Sequence, residues 1–250
     1  VKHVPDTAAT IRVAGDNGFE DDDVKFFANP YDEYAVEEAV SIVEEQGGEV
    51  VIVTVGRPDA VSSIRSAMAM GADRAILVTT DAQLLDSRIT ALALKTAMEE
   101  DGMPDMVFTG KNSIDSEGFQ TQYRLAHLLG MPVVNEVSTL SLDGTTVQAE
   151  QEIGGGEKQV LQLSTPCVIG ATKGLNDPRY PKFQAIMKAK KKEIKEMDLA
   201  GLGVETGSPA TVIESLEIVP ERSDARLLDG STDDQVTELV RILKEEEKVL

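Results

Sequence analysis

Histidine and cysteine are almost missing from this 250-residue chain, which carries two histidines, His3 and His127, and one cysteine, Cys167. A single thiol cannot close an internal disulfide, and Cys167 lacks the neighbours of a Cys/His metal site, so a reducing compartment and no metal centre are expected. Imidazole acid–base chemistry is thinly supplied, and His3 and His127 read as a loop residue and a helix residue. Three signatures of self-contained catalysis are also missing: a G-x-x-x-x-G-K-[ST] phosphate loop, a G-x-S-x-G elbow and an H-E-x-x-H helix. The many carboxylates single out no acid/base pair.

Two further absences bear on location and partners. No run of about 18 apolar residues is long enough to cross a bilayer. No charged-then-apolar signal segment opens the chain, and its acidic N-terminal region does not resemble an Arg-rich transit peptide. The expectation is a soluble protein that is not membrane-embedded, located in the cytoplasm, with a processed mitochondrial matrix protein as the alternative. Positive charge is short as well: 24 Lys and Arg face 44 Asp and Glu, a net charge of −20. That balance argues against nucleic acid, because displacing counterions from phosphates takes clustered cations. Lys188, Lys190, Lys191, Lys192 and Lys195 break the trend as a short basic run, whose plain reading is a solvated helix face.

What is present is globular: 41% hydrophobic and 27% charged residues, in a chain long enough for one large domain or a domain plus an extension. From 49 to about 171 the sequence alternates β-rich runs with helical periodicity, the pattern of an α/β fold with a mostly parallel sheet. EVVIVTV (49–55), RAILV (74–78) and MVFT (106–109) are short apolar runs suited to strands buried on both faces. A helix follows Asn29, which can N-cap, with Pro30 at the first helical position and Asp32 in the first turn. Further helices are expected over about 59–70, stopped by Gly71, and about 84–100. After Gly130, residues 133–140, 145–153 and 158–163 read as antiparallel hairpin strands joined by Asp143-Gly144 and Gly154-Gly155-Gly156. Residues 172–181 read as an exposed loop followed by a basic helix, and the rest as a strand-like 211–219 and an amphipathic helix over 233–249. The division expected is an adenine-nucleotide-binding α/β domain over 1–200 and a C-terminal arm over 201–250, which must pack against the main domain or another subunit.

The informative stretch is Gly110-Lys111-Asn112-Ser113-Ile114-Asp115-Ser116-Glu117-Gly118-Phe119-Gln120-Thr121, between a strand's carboxyl end and a helix. In open α/β sheets nucleotides bind at that edge, where a helix start offers free N–H groups to phosphate. Gly110 permits close backbone approach, and Ser113, Ser116, Gln120 and Thr121 can donate hydrogen bonds. Ser and Asp before a helix are equally ordinary N-caps. The Asn29-Pro30-Tyr31-Asp32 helix start and the Thr54-Val55-Gly56 strand end occupy matching positions, so three ends could converge on one crevice.

These residues resemble a known family, the beta subunits of the electron-transfer flavoproteins. The resemblance rests on VKHVPDT (1–7), NPYDEYAVEEAV (29–40), AMAMGADRA (67–75), GKNSID (110–115) and LNDPRYPKFQAIMKAKKKEI (175–194), and it covers nearly the whole chain. It implies a Rossmann-like or flavodoxin-like fold with an added antiparallel hairpin and a C-terminal arm that reaches the alpha subunit. It also implies a heterodimer in which the alpha subunit holds most of an FAD and the beta subunit binds a structural AMP, or, in electron-bifurcating members that oxidise NADH, a second FAD in its place. The AMP contacts fall on Asn29, Pro30, Tyr31, Asp32, Val55 and the loop from Gly110 to Thr121, with Val55 offering backbone. Gln120-Thr121 is closer to the AMP type, whereas Phe119 replaces a polar residue of that type.

The family's docking loop for acyl-CoA dehydrogenases and similar flavoenzymes falls on Arg179, Tyr180, Pro181, Lys182, Phe183, Ile186, Met187, Lys188 and Lys191, with Phe183 as the apolar anchor. Electrons would pass onward to an ETF-quinone oxidoreductase-type acceptor and the respiratory chain, a route of fatty acid oxidation in which this subunit is a carrier without a catalytic centre. Family members begin with a short apolar strand just before the segment matching Val1-Lys2, so the resemblance implies either truncation or a numbering that omits leading residues. A stand-alone ATP-binding or ATP-sensing module is the rival from another class, and it would need the phosphate loop that is missing.

Overall fold

The computed structural model describes residues 1–207, 209–219 and 225–250. The first 28 residues fold into four three-residue strands, β1 (His3–Pro5), β2 (Arg12–Ala14), β3 (Gly18–Glu20) and β4 (Phe26–Ala28). β1 pairs antiparallel with β4, and β2 with β3. Helix α1 (Pro30–Gln46) follows, then β5 (Val51–Gly56), α2 (Val61–Met70), β6 (Arg74–Thr79), α3 (Ser87–Asp101), β7 (Met106–Gly110) and α4 (Thr121–Leu129). β8 (Val133–Asp143), β9 (Thr146–Gly154), β10 (Glu157–Ser164) and β11 (Cys167–Ala171) come next, followed by α5 (Phe183–Ala189) and β12 (Ile194–Asp198).

The expected α/β architecture with parallel strands and added hairpins is present. Its parallel strands fall into two hydrogen-bonded sets: β12-β6-β5 is wholly parallel, and β10-β9-β8-β11-β7 is parallel at β8-β11-β7 and antiparallel at the hairpins. Helices join the sets. α3 packs on β5, β6 and α4, while α4 packs on β8 and β11, and α1 packs on β7, β11 and α2. The core follows this layering. Ile52, Ile64, Met68 and Leu77 bury one face of the three-stranded sheet, Ile76, Val78, Ile89 and Ala93 the other, and Val137, Val147, Cys167 and Ile169 fill the space under the hairpins.

Several expectations change. The basic run does not stay helical: α5 ends at Ala189, Lys192 donates to the carbonyls of Met68 and Ala72, and Lys195 lies in β12. Those carbonyls at the end of α2 accept the ammonium, and pairing of β12 with β6 takes over the following backbone. Residues 211–219 form no strand, since none of their backbone joins a ladder and the segment is mostly exposed. Among the described residues its anchors are two bonds from Thr211, N and Oγ1, to Asp86 and one from Leu216 N to Asp16 O.

Two compact units are distinguished, Val1–Leu216 and Glu217–Leu250. The second contains α6 (Thr232–Arg241), started by a Ser231/Asp234 capping box and continued by one π turn over Ile242–Glu246, short of the expected end at 249. Arg226 and Arg241 both pair with Glu238 and Glu246 there, while Val236, Leu239 and Val240 are exposed. Residues 208 and 220–224, part of the expected arm, lie outside the described residues. No helix among those described is long and apolar enough to cross a membrane.

Candidate functional site

Asp32 pins three segments together. It sits in the first turn of α1, and its carboxylate accepts from the backbone of two other segments: Lys2 N at 2.6 Å on Oδ2 and Gly110 N at 2.9 Å on Oδ1. Asn29 occupies the N-cap position but makes no side-chain capping bond, contrary to expectation. Its amide reaches across instead, donating to Asp32 Oδ1 at 3.1 Å and Asn112 O at 2.9 Å and accepting from Ile114 N at 3.1 Å. A buried amide that makes three bonds, two of them to the loop at Asn112 and Ile114, outweighs the single capping bond it gives up. Gly110 is required by this packing, because a Cβ there would lie 2.5 Å from Asp32 Oδ1 and 2.7 Å from Tyr31 Cβ.

From Gly110 the loop runs outward under further restraint. Lys111 O accepts from Gln122 at 2.8 Å and from Asn135 at 3.1 Å, which fastens the loop to α4 and β8. The Lys111 ammonium lies 5.2 Å from the Tyr31 ring centre and 3.6 Å from the Glu136 carboxylate. Glu136 has φ 57° at a register shift between β8 and β11, where a bulge re-aims a side chain.

Beyond Asn112, Lys2 Nζ contacts Asp115 Oδ1 at 2.7 Å, Ser113 Oγ at 3.1 Å and Ser116 Oγ at 3.4 Å, and the two hydroxyls lie 3.0 Å apart. Burial pushes the Asp115 carboxyl up, but the Lys2 ammonium and the Ser113 hydroxyl outweigh it and hold the group below the usual aspartate range. Glu117 and Phe119 take left-handed backbone, with φ 46° and 51°, and the Phe119 ring is exposed. α4 then starts without a side-chain cap, since Gln120 Oε1 accepts from Arg124 and Ser87. Among the described residues no side chain caps its first turn.

Of the site residues expected from the sequence, Asn29, Tyr31 and Asp32 are brought against Gly110, Lys111, Asn112 and Ile114, Ser113, Asp115 and Ser116 gather on Lys2, and residues 117–121 carry the chain into α4. Val55 is held differently: its side chain packs with Ile76 and Val78. The end of β5 reaches the cluster through its neighbours, as Val1 N donates to Val53 O and Thr54 Oγ1 to Val1 O, one residue before Lys2. Lys2, Gln122, Asn135 and Glu136 belong to the network and were not singled out from the sequence. Lys2 lies in VKHVPDT, but a lone lysine in an extended stretch has no pattern to mark it.

The residues suit a phosphate-bearing ligand in their donor set, an ammonium, two hydroxyls and an uncapped helix start. Near them, buried Asn112 Oδ1, Asn135 Oδ1 and Thr109 Oγ1 have no hydrogen-bond partner among the described residues. The cavity beside Asp32, lined also by Val1, Ala28, Glu33 and Val36, measures about 10 Å³, room for one water at most. A larger open depression of about 490 Å³ is lined by Asp21, Asp22, Asp59, Arg57 and Phe26. Its carboxylates oppose an anion, and Arg57 is already paired to Asp21 at 2.6 Å.

The second group of expected residues lies in the 172–182 loop and α5. Tyr180 and Phe183 are 94% and 75% exposed, and Ile186, Met187, Lys182, Lys188 and Lys191 are also exposed. Pro181 is half-buried, and Arg179 turns its guanidinium to Glu37 and Glu44 on α1.

A family model described as the electron transfer flavoprotein domain matches residues 16–202, three quarters of the chain. The chain belongs to that family. It is 39% identical over 247 residues to the electron transfer flavoprotein subunit beta of Homo sapiens, covering 97% of this chain and 95% of that protein. The corresponding subunit of Bradyrhizobium diazoefficiens is 37% identical over 254 residues, covering 100% and 98%. That of Bacillus subtilis is 34% identical over 235 residues, covering 92% and 91%. The family match takes in both the loop at 110–121 and the exposed segment at 172–189, and the relatives of this electron transfer flavoprotein chain are beta subunits.

Proposed function

We propose that this chain pairs with an alpha subunit, binds a structural AMP at the 29–32 and 110–121 segments, and completes the environment of an FAD held mainly by that subunit. In this role it receives electrons from acyl-CoA-type dehydrogenases and delivers them to an ETF-quinone oxidoreductase-type acceptor, toward the respiratory chain. The observation that carries the reading is the Lys2–Ser113–Asp115–Ser116 cluster on the loop that leads into the uncapped start of α4. Lys2 and the two hydroxyls donate to a phosphate, Asp115 keeps the Lys2 ammonium in place, and the α4 N–H groups complete the donor set. Phe119, exposed on the same loop, offers a flat face to a base.

The flavin, when bound, supplies the redox chemistry, and the protein supplies position and electrostatics. Family membership supports this division of labour. The test is to purify the heterodimer, release its nucleotides with acid and count them. One FAD and one AMP per heterodimer is the expected result. Two FADs would overturn it in favour of an electron-bifurcating subunit that oxidises NADH.

A further inference from the structure

Arg179 opens the exposed segment that carries Tyr180 and Phe183, yet its own guanidinium faces inward. Nε and Nη2 donate to the Glu37 carboxylate at 2.9 to 3.2 Å, Nη1 and Nη2 donate to Glu44 at 2.6 and 2.9 Å, and the Arg179 backbone N donates to Glu37 Oε2 at 2.9 Å. Glu37 and Glu44 lie about two turns apart on one face of α1. One planar fork thus holds two carboxylates, a geometry lysine cannot reproduce. Glu37 is only 7% exposed. Burial pushes its carboxyl up, but the bonds from Arg179 prevail and hold it below the usual glutamate range.

Three residues earlier the same loop is held again. Asn176 Nδ2 donates to Tyr34 O at 3.0 Å and to Glu38 Oε2 at 2.9 Å, both on α1. The far end of the segment is tied to α2, where Arg65 Nη1 donates to Ala189 O and Lys192 O, each at 2.6 Å. Between these anchors stand the exposed apolar side chains of Tyr180, Phe183, Ile186 and Met187.

We infer that Arg179 is a positioning residue, which clasps the loop to α1 so that Tyr180 and Phe183 are presented in a fixed pose to the partner flavoenzyme, and that it does not itself touch that partner. The inference rests on the proposed transfer from acyl-CoA-type dehydrogenases and on the docking role that the family resemblance implies for this segment. Arg179's charge is spent on two carboxylates, which leaves Lys182, Lys188, Lys190 and Lys191 as the exposed cations that can meet an acidic partner. A loop ordered before the encounter loses less entropy at docking, and that saving appears as affinity.

The experiment uses the heterodimer with its nucleotides bound, in wild-type form and as Arg179→Lys, Arg179→Met and Phe183→Ala, with Glu44→Gln as a milder loosening that leaves the buried Glu37 pair in place. Steady-state transfer from a purified acyl-CoA dehydrogenase gives KM and kcat. Amide exchange over 174–182, measured without any dehydrogenase, reports loop order directly. Both Arg179 variants should exchange faster there, keep their flavin, and raise KM roughly tenfold, the size of re-ordering one or two side chains at each encounter, while kcat changes less. Glu44→Gln should move both readouts in the same direction by a smaller factor. Unchanged exchange, or faster exchange with unchanged KM while Phe183→Ala still raises KM, would overturn the clasp alone. An unchanged KM in Phe183→Ala would instead overturn the docking role and the clasp's purpose with it.

Discussion

Gly110 N donates to Asp32 Oδ1 at 2.9 Å, and a Cβ on Gly110 would fall 2.5 Å from that same oxygen. The bond and the clash are one fact about how closely the end of β7 approaches the start of α1. Because Lys2 N shares the Asp32 carboxylate, the contact also sets where the Lys2 side chain meets the loop.

Gly110→Ala forces apart backbone as well as side chain, since the Tyr31 carbonyl carbon lies 2.8 Å from the new Cβ. A loss of about 1 to 3 kcal/mol is expected, the range of overpacked interiors. In urea the midpoint should fall with little change in slope, and the purified heterodimer should carry less nucleotide. A wild-type midpoint would show that the contact yields without cost.

Lys2→Met removes the ammonium from Asp115 and leaves the carboxyl covered. In the wild type the folded chain holds Asp115 below its ordinary 3.8, so the unfolded chain takes up that proton first as pH falls. The stability contributed is complete above the unfolded value and is lost as pH falls through the folded one. Glu33 and Glu38 act with the opposite sign: burial raises both above 4.5, so their contribution is present below that value and is lost as pH rises through the folded ones. Carboxyl-carbon NMR should show the Asp115 midpoint move upward in Lys2→Met. An unmoved midpoint would mean that Lys2 does not govern this group.

Ser116→Asp places a second carboxylate beside Asp115 and the Lys2 ammonium, where a phosphate is proposed to sit. Bound AMP should drop well below one per heterodimer while the fold, read by circular dichroism, stays intact. Full occupancy would place the nucleotide elsewhere.

Deleting residues 217–250 removes α6 with its exposed Val236, Leu239 and Val240. A stripe of that kind on a helix with no buried residue needs cover from another surface, and the alpha subunit is the proposed one. Co-expressed with it, the shortened chain should elute as separate subunits at dilute concentration in gel filtration. A normal heterodimer peak would remove the arm from the interface.

Elements whose residues repeat a physical requirement were legible in the sequence. β6 is buried on both faces, β5 and β7 combine buried with half-buried positions, and all three read as apolar runs, while the hairpins of β8, β9 and β10 declared themselves through Asp143-Gly144 and the three glycines at 154–156. β1 to β4 were not legible, because three residues cannot display a period. β11 (CVIGA) was hidden by its brevity, although all five residues are buried. β12 was masked by lysines that suggested a helix, and its place comes from pairing with β6, a long-range contact that no local pattern records. The same limit applies to the site. The helix start and the loop could be named from the sequence, whereas Lys2 and Asn135 joined it only once distant strands were side by side.

The clasp between Glu37 and Arg179 spans 142 positions of the chain. At about 5 to 20 residues per second, a ribosome needs about 7 to 28 s to deliver the arginine after the glutamate. Throughout that interval α1 can form but cannot seat its most buried carboxylate. The helix that starts the proposed nucleotide site is therefore finished by one of the last parts of the main body to emerge.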